Sequence, residues 1–233
     1  MRCRGGSSIS KDFCNVISGK INAIRKLLAN WGRAHYVDFP WRSTKNSFHA
    51  LVAEIMLQRT KAEQVVPVYT TFASLYPTAK EASSANPEEL LEILAHLGLR
   101  WRAKKISDLA GEICRRGNVV PKEFEELVAL PGVGAYAACA YLSFHVGKRA
   151  IIVDTNAVRL WTRIFGLTTR KEMRRNKEFL CLVDNITPAK GFRVFNYAVL
   201  DHTRTVCKQK PLCGICPVNS LCSYYLATQS AKE

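Results

Sequence analysis

The sequence predicts an all-α protein. Apolar residues recur at three- and four-residue spacing along most of the chain, which is typical of amphipathic helices. The alternation of apolar and polar residues that marks β-strands is nearly absent, because the segment AIIV at 150–153 is too short to form one. No internal repeat or low-complexity segment interrupts this pattern.

The first predicted helix runs from Ile17 to Trp31, where apolar residues stand at positions 17, 21, 24, 27, 28 and 31. The segment 39–42, FPWR, indicates an extended break. Asn86-Pro87-Glu88-Glu89 is a capped helix start that leads into the apolar segment 90–99. The remaining predicted helices are 48–57, 65–75, 102–114, 121–130, 135–146, 155–165 and 177–186.

The segment from Leu130 to Arg159 is the most informative part of the chain. Pro131-Gly132-Val133-Gly134 cannot continue a helix, since proline lacks an N–H group and glycine tolerates positive φ. It lies between the helices 121–130 and 135–146, the second of which is apolar enough to be buried. A tight turn that directs free N–H groups at a helix start can bind an anion, although an ordinary interhelical turn has the same pattern.

The charge of the chain favours a polyanionic partner. Thirty-four Lys and Arg against nineteen Asp and Glu give a net charge of +15 over 233 residues. Such an excess favours phosphate backbones through counterion release, although basic surfaces also serve solubility. No run of eighteen apolar residues exists, and the start MRCRGGSSISKDF has no apolar signal core. We therefore expect no membrane span and an intracellular protein.

The nine cysteines fall into two groups. Five are scattered along the chain: Cys3, Cys14, Cys114, Cys139 and Cys181. The last three lie in predicted helices, where we expect buried free thiols. The other four have the spacing C-x5-C-x2-C-x5-C: Cys207, Cys213, Cys216 and Cys222. Without a secretion signal, metal ligation is a better interpretation than disulfides. The spacing leaves open an iron–sulfur cluster, zinc or free thiols.

Four motifs in register resemble the helix-hairpin-helix DNA glycosylases of the endonuclease III superfamily, over roughly residues 20 to 225. LPGVG at 130–134 is similar to their hairpin, VDTNAVR at 153–159 to the segment with the catalytic aspartate, and 207–222 to their iron–sulfur cluster loop. LVAEIMLQRT at 51–60 resembles the monofunctional mismatch branch, which contains archaeal thymine mismatch glycosylases and adenine glycosylases. The resemblance implies a DNA N-glycosylase of base excision repair.

The resemblance also implies two helical lobes with a DNA-binding cleft between them. One lobe would span 38–148 and contain the hairpin, and the other would combine 1–37 with 149–233. The cofactor implied at 207–222 is a [4Fe–4S] cluster. The family usually has six residues between its first two cluster cysteines, whereas Cys207 and Cys213 are separated by five, so this loop departs from the family pattern by one residue.

Three residues are implied to be catalytic. Asp154 matches the carboxylate that stabilises positive charge on the sugar or activates water after the base is flipped, and it would also cap the helix starting at Thr155. Glu54, in an apolar segment, would line the base pocket and assist departure of the base; a salt bridge or an exposed face is the alternative. Tyr136 replaces the lysine that forms a Schiff base in bifunctional members, which implies base removal without strand cleavage. Core packing is its alternative role.

The implied partner is double-stranded DNA with a mismatched or damaged base, bound by a monomer. The amides of Gly132, Val133 and Gly134 would hold a phosphate, together with a monovalent cation. Gln58 and Arg59 would enter the gap left by the flipped base. Lys208 and Lys210 in the cluster loop would contact phosphates.

The expected substrate is thymine or uracil opposite guanine. Gln58 looks more like the adenine glycosylases, but LGLRW at 97–101 lacks the paired tyrosines that those enzymes have after the glycine. The chain also ends eleven residues after Cys222, where adenine glycosylases usually add a domain that reads 8-oxoguanine. Adenine opposite guanine or 8-oxoguanine is the first alternative, and a non-catalytic DNA-binding protein is the second.

Overall fold

The computed structural model describes residues 11–98, 100–169 and 172–230, with side chains from residue 18 onward. These residues form helices joined by loops and contain no strand, which confirms the all-α prediction. Short 3₁₀ turns occupy Met173–Arg175, Cys213–Ile215 and Asn219–Leu221. The α-helices are α1 (Lys11–Ala34), α2 (Pro40–Ser43), α3 (Ser47–Met56), α4 (Ala62–Leu75), α5 (Ala79–Ser83), α6 (Pro87–Ala95), α7 (Trp101–Arg115), α8 (Phe124–Val128), α9 (Ala135–Tyr141), α10 (Thr155–Phe165), α11 (Lys177–Ile186), α12 (Phe192–Thr205) and α13 (Ser223–Ser230).

The chain divides into two compact units. One is Asp38–Ala150, and α3 is its central helix, packed against α4, α7 and α9. The side chain of Asn46 begins α3 by accepting hydrogen bonds from the N–H groups of Phe48 and His49. All residues from Phe48 to Met56 are buried, so α3 has no solvent-facing side beyond its first residue.

The other unit combines Met1–Val37 with Ile151–Glu233. Its helices α1 and α12 lie side by side, and Gly32 allows this approach because a Cβ there would stand only 2.3 Å from the Cβ of Ala198. Its apolar core includes Leu28 and Trp161 as well as two cysteines of the C-terminal motif, Cys207 and Cys222. The loop 207–222 that carries these cysteines, called the cysteine loop or C-terminal loop, is therefore part of the core of this unit.

Several boundaries differ from the sequence predictions. The expected break at 39–42 contains the short helix α2, since Pro40 has a φ suited to a first helical residue. The first hairpin helix is only Phe124–Val128, and the second passes into a π-helical turn at Leu142–Val146. Helix α12 was not predicted, because it follows Gly191 at φ +70° without a side-chain cap and gives no start signal.

Candidate functional site

Glu54 lies in the middle of α3 with only 5% of its surface exposed. Its neighbours along the helix, including Leu51, Ile55 and Met56, are completely buried. Burial of a carboxyl group in such an environment is costly unless it is given partners or a task. The structure thus excludes the exposed-face interpretation of Glu54.

The loop after α3 presents the two residues expected to enter DNA. Arg59 is exposed and has a φ of +58°, an unusual conformation for a residue other than glycine. Gln58 is half-buried, and its Nε2 donates a hydrogen bond to the carbonyl oxygen of Gly132 at 3.3 Å. The predicted intercalating loop and the predicted hairpin are therefore direct neighbours.

A buried arginine holds this loop in place. Arg102 on α7 has no exposed surface, and its guanidinium donates to the carbonyl oxygens of Leu97, at 3.3 Å, and Gln58. Desolvation lowers the pKa of Arg102. The charge of Arg102 is therefore used inside the protein and not on its surface.

The turn Pro131–Gly134 has the geometry of an anion site. Gly132 has a φ of +78°, and its amide and that of Gly134 donate no hydrogen bond to the part of the chain that the structure describes. Val133 is buried and donates its N–H to the carbonyl of Leu130 at 3.2 Å, which closes the turn. Tyr136 follows in the first turn of α9 and is half-buried. Two free amide donors are thus available to an oxygen ligand.

Asp154 caps α10, as the sequence predicts. Its Oδ1 accepts the N–H of Ala157 at 2.6 Å, and its Oδ2 accepts a hydrogen bond from Asn156 Nδ2 at 2.9 Å. The carboxylate is half-buried, so both oxygens are oriented while one side of the group remains accessible. This is the arrangement of a positioned anion rather than of a freely rotating surface acid.

A continuous hydrogen-bond chain joins Asp154 to the cysteine loop. Asn156 bridges the two parts, because its Oδ1 accepts from Arg159 Nη1 at 2.9 Å. Arg159 in turn donates from Nε to the carbonyl oxygen of Cys207 at 2.9 Å and from Nη2 to that of Thr203 at 3.1 Å. Sequence reasoning assigned no role to Asn156 and Arg159, because the partners of Arg159 at Thr203 and Cys207 are distant in the chain.

The four clustered cysteines line one pocket between α10 and the C-terminal loop. The Cys207 and Cys222 side chains are buried, and those of Cys213 and Cys216 are half-buried. Burial raises the pKa of Cys213 and raises that of Cys216 to about 11, with the neighbouring cysteines adding to both shifts. The thiols of Cys213 and Cys216 therefore remain protonated at neutral pH unless a cationic centre displaces the protons.

Four thiols that line one pocket are a donor set that could hold a metal ion or a metal cluster. A zinc ion requires its sulfurs within about 2.3 Å of one point. In the described ranges, no three His, Cys, Asp or Glu side chains are arranged to hold one metal ion. A four-iron cluster keeps its ligands further apart around a larger body, as four thiols surrounding a pocket allow.

Further groups support the cysteine loop. Arg163 donates to the carbonyl oxygens of Lys208, at 2.6 Å, and Gln209, at 2.9 Å, and lies over the ring of Tyr224. The fully buried His202 places Nε2 3.3 Å from Cys216 Sγ, and burial lowers its pKa to about 4. Lys208 and Lys210 are exposed, so the loop presents cations outward while its thiols face the pocket.

The scattered cysteines are less buried than expected. Cys114, Cys139 and Cys181 are half-buried in helices α7, α9 and α11, and burial raises the pKa of Cys139 to about 11. Cys3 and the side chain of Cys14 lie outside the described part of the chain. None of the three described thiols takes part in the candidate site.

Residues 52–183 match the family model of the HhH-GPD superfamily of base excision DNA repair proteins. A thymine-DNA glycosylase of Aeropyrum pernix is 36% identical over 89% of this chain and 96% of its own length. A thymine/uracil-DNA glycosylase of Pyrobaculum aerophilum is 34% identical over 81% of this chain and 85% of its own. An adenine DNA glycosylase of Buchnera aphidicola is 31% identical over 80% of this chain but 54% of its own length.

Solved structures share the fold of this chain. The structure of a thermostable thymine-DNA glycosylase superposes with a TM-score of 0.84 at 29% identity, covering 91% of this chain and 99% of that one. Endonuclease III in a non-covalent complex with DNA superposes with a TM-score of 0.79 at 24% identity, covering 91% of this chain and 98% of that one.

No helix in the described ranges is long and apolar enough to cross a membrane.

Proposed function

Because the chain belongs to the HhH-GPD superfamily of base excision DNA repair proteins, we propose that it removes thymine or uracil mispaired with guanine from double-stranded DNA. Its relatives are DNA glycosylases, which confirms a DNA N-glycosylase and sets aside the non-catalytic alternative. The observation that carries the choice of base is the similarity to thymine and thymine/uracil glycosylases along 96% and 85% of their lengths. The lack of paired tyrosines after Gly98 supports the same choice.

The proposed reaction is hydrolysis of the bond between C1′ of the sugar and the base nitrogen. The target base leaves the helical stack and enters a pocket, since it is unreachable in the duplex. As the C1′–N bond breaks, the base takes the electron pair and positive charge develops on the sugar. Water then adds to C1′ and releases a proton, leaving an abasic site in an intact strand.

Asp154 is the proposed anion for this step. Its two hydrogen bonds orient the carboxylate before substrate arrives, so no reorganisation is needed as positive charge forms. An oriented carboxylate can stabilise the sugar cation directly or accept the proton of the attacking water.

Glu54 is the proposed partner of the leaving base. A buried carboxyl group beside apolar residues of α3 can donate a proton or a hydrogen bond to the departing base, which carries negative charge. Tyr136 cannot form an imine with C1′, because a phenol lacks the amine. We therefore expect no β-elimination and no covalent enzyme–DNA adduct on treatment with borohydride.

The cysteine pocket is proposed to hold a [4Fe–4S] cluster. When bound, the cluster would tie four parts of the loop together and compensate the negative charge of their thiolates. The loop in this shape presents Lys208 and Lys210 to DNA phosphates, while the hairpin amides, Gln58 and Arg59 contact the strand near the target base. A monovalent cation at the hairpin and a monomeric state remain part of this proposal.

The test uses end-labelled duplexes that contain G·T, G·U or A·8-oxoguanine, resolved with and without hot alkali. Alkali-dependent cleavage at thymine or uracil supports the proposal, whereas cleavage only at adenine assigns the chain to the adenine branch. Asp154→Asn keeps a capping oxygen for Ala157 but removes the charge. It should bind the G·T duplex like the wild type and release thymine at least 100-fold more slowly, by the usual scale of such electrostatic contributions.

A further inference from the structure

The hairpin turn lies directly against helix α7. A Cβ built on Gly132 would stand 3.2 Å from the Cβ of Lys105 and 3.0 Å from Cδ1 of Ile55. The base of the Lys105 side chain is therefore beside the turn, and a lysine side chain can place its ammonium group roughly 5 Å beyond its Cβ. Helix α7 thus brings a cation to the edge of the anion site formed by the turn.

Lys105 and its neighbour Lys104 differ in their surroundings. Lys104 forms an ion pair with Asp108 one turn along α7, at 3.2 Å. Lys105 is exposed and forms no ion pair or hydrogen bond with any residue that the structure describes. Of these two adjacent lysines, Lys104 is therefore ion-paired and Lys105 is not.

The ammonium group of Lys105 and the unpaired N–H groups of the hairpin both attract anions. The amides of Gly132 and Gly134 donate to nothing in the described ranges, and Lys105 adds a full positive charge next to them. Trp101, one helical turn before Lys105, is also exposed, with 43% of its surface accessible. A free lysine, unpaired amides and an exposed aromatic ring on one surface match the chemistry of a nucleic-acid strand.

We propose that Lys105 binds a DNA backbone phosphate beside the hairpin and so extends the DNA-binding surface from the turn onto α7. This rests on the proposed function only insofar as DNA is the substrate. The contact is with the sugar-phosphate backbone, so it contributes affinity and register without selecting the base. Lys104 contributes less than Lys105, because its ion pair with Asp108 competes with a phosphate for the same ammonium group.

The experiment measures the salt dependence of DNA binding for Lys105→Ala, Lys105→Arg and Lys104→Ala. Dissociation constants for a fluorescein-labelled fully paired duplex and a G·T duplex are measured by anisotropy from 50 to 200 mM NaCl. Each lost phosphate contact lowers the slope of log Kd against log salt by about 0.9. Over this fourfold range the wild-type affinity should then fall about 3.5-fold more than that of Lys105→Ala.

Lys105→Arg should keep the wild-type slope, and Lys104→Ala should change it by less than half as much as Lys105→Ala. Equal slopes for Lys104→Ala and Lys105→Ala, or a wild-type slope in Lys105→Ala, would overturn the assignment. Thermal unfolding of each variant reports any loss of folded protein.

Binding to the fully paired duplex tests this proposal independently of the proposed substrate. If the wild type failed to release thymine, the proposed substrate would be refuted, but the comparison of salt slopes would still hold.

Discussion

Replacing Asn156 with alanine should slow thymine release by about 10-fold. The substitution removes the hydrogen bond from Asn156 Nδ2 to Asp154 Oδ2, 2.9 Å long, but leaves the N–H of Ala157 on Oδ1. A hydrogen bond to a charged group contributes about 1.5–3 kcal/mol, which corresponds to about a 10- to 150-fold change in rate if it acts wholly in the transition state. Asn156 is exposed, so water replaces part of the interaction and the lower limit applies.

The assay is single-turnover release of thymine from a G·T duplex with enzyme in excess, so that the observed rate does not report product release. Arg159→Met and Arg163→Met form a matched pair. Both arginines extend from α10 to carbonyl groups of the cysteine loop, but only Arg159 contacts Asn156. After normalisation to iron content, Arg159→Met should slow release and Arg163→Met should stay within about twofold of the wild type, by the same hydrogen-bond arithmetic.

The outcome that would refute this reasoning is a wild-type rate for Asn156→Ala in a preparation where Asp154→Asn is inactive. It would mean that the Ala157 N–H alone orients the carboxylate. Equal losses in Arg159→Met and Arg163→Met, with equal iron content, would show that the loop as a whole, rather than the chain through Asn156, affects the reaction. The unfolding temperature should stay within a few degrees in Asn156→Ala, since the helix cap is retained.

Three further predictions concern the hairpin, Tyr136 and the cysteine pocket. Gly132→Ala should lower the unfolding temperature by several degrees, because a residue with a side chain at φ +78° costs about 1–2 kcal/mol and its Cβ would crowd Ile55. A Cβ at Gly134 would have no protein atom within 4 Å. Gly134→Ala should therefore unfold like the wild type in calorimetry, yet bind DNA more weakly. Borohydride should trap no protein–DNA adduct on a denaturing gel, and an adduct would contradict the assignment of Tyr136. Cys213→Ser should purify with less iron and weaker absorbance near 400 nm than Cys139→Ser, a thiol outside the pocket; equal iron content would remove Cys213 from the ligand set.

Much of the fold could be predicted from local patterns. The bounds of α10 and α11 agree with the predicted helices, because Asp154 and Asn176 each cap a helix start and the apolar period is clear. Helix α12 was missed since Gly191 offers no capping side chain, and its burial depends on α1, which is distant in sequence. Periodicity reports one face of one helix and not the partner that covers it.

The candidate site, too, could be predicted from the sequence only in part. Asp154, Glu54, the hairpin and the four cysteines are recognisable in sequence because each needs a particular residue type at a fixed local spacing. Their roles as a substrate-binding and catalytic set remain predictions. The contacts of Arg102, Asn156 and Arg159 had no local signal, since an arginine in a helix has the same pattern whether its charge faces water or a buried carbonyl.

The sequence by itself determined the helical class, the turn at 131–134, the capping carboxylate and a four-thiol loop, because these depend on backbone propensities and on spacings of a few residues. Only the tertiary structure decided that Arg102 is internal, that Lys105 borders the hairpin and that Asp154 is joined to Cys207 through Asn156 and Arg159. These relations join atoms as many as 48 residues apart in the chain. Directional bonds and packing fix them when the helices come together, and no local pattern encodes that step.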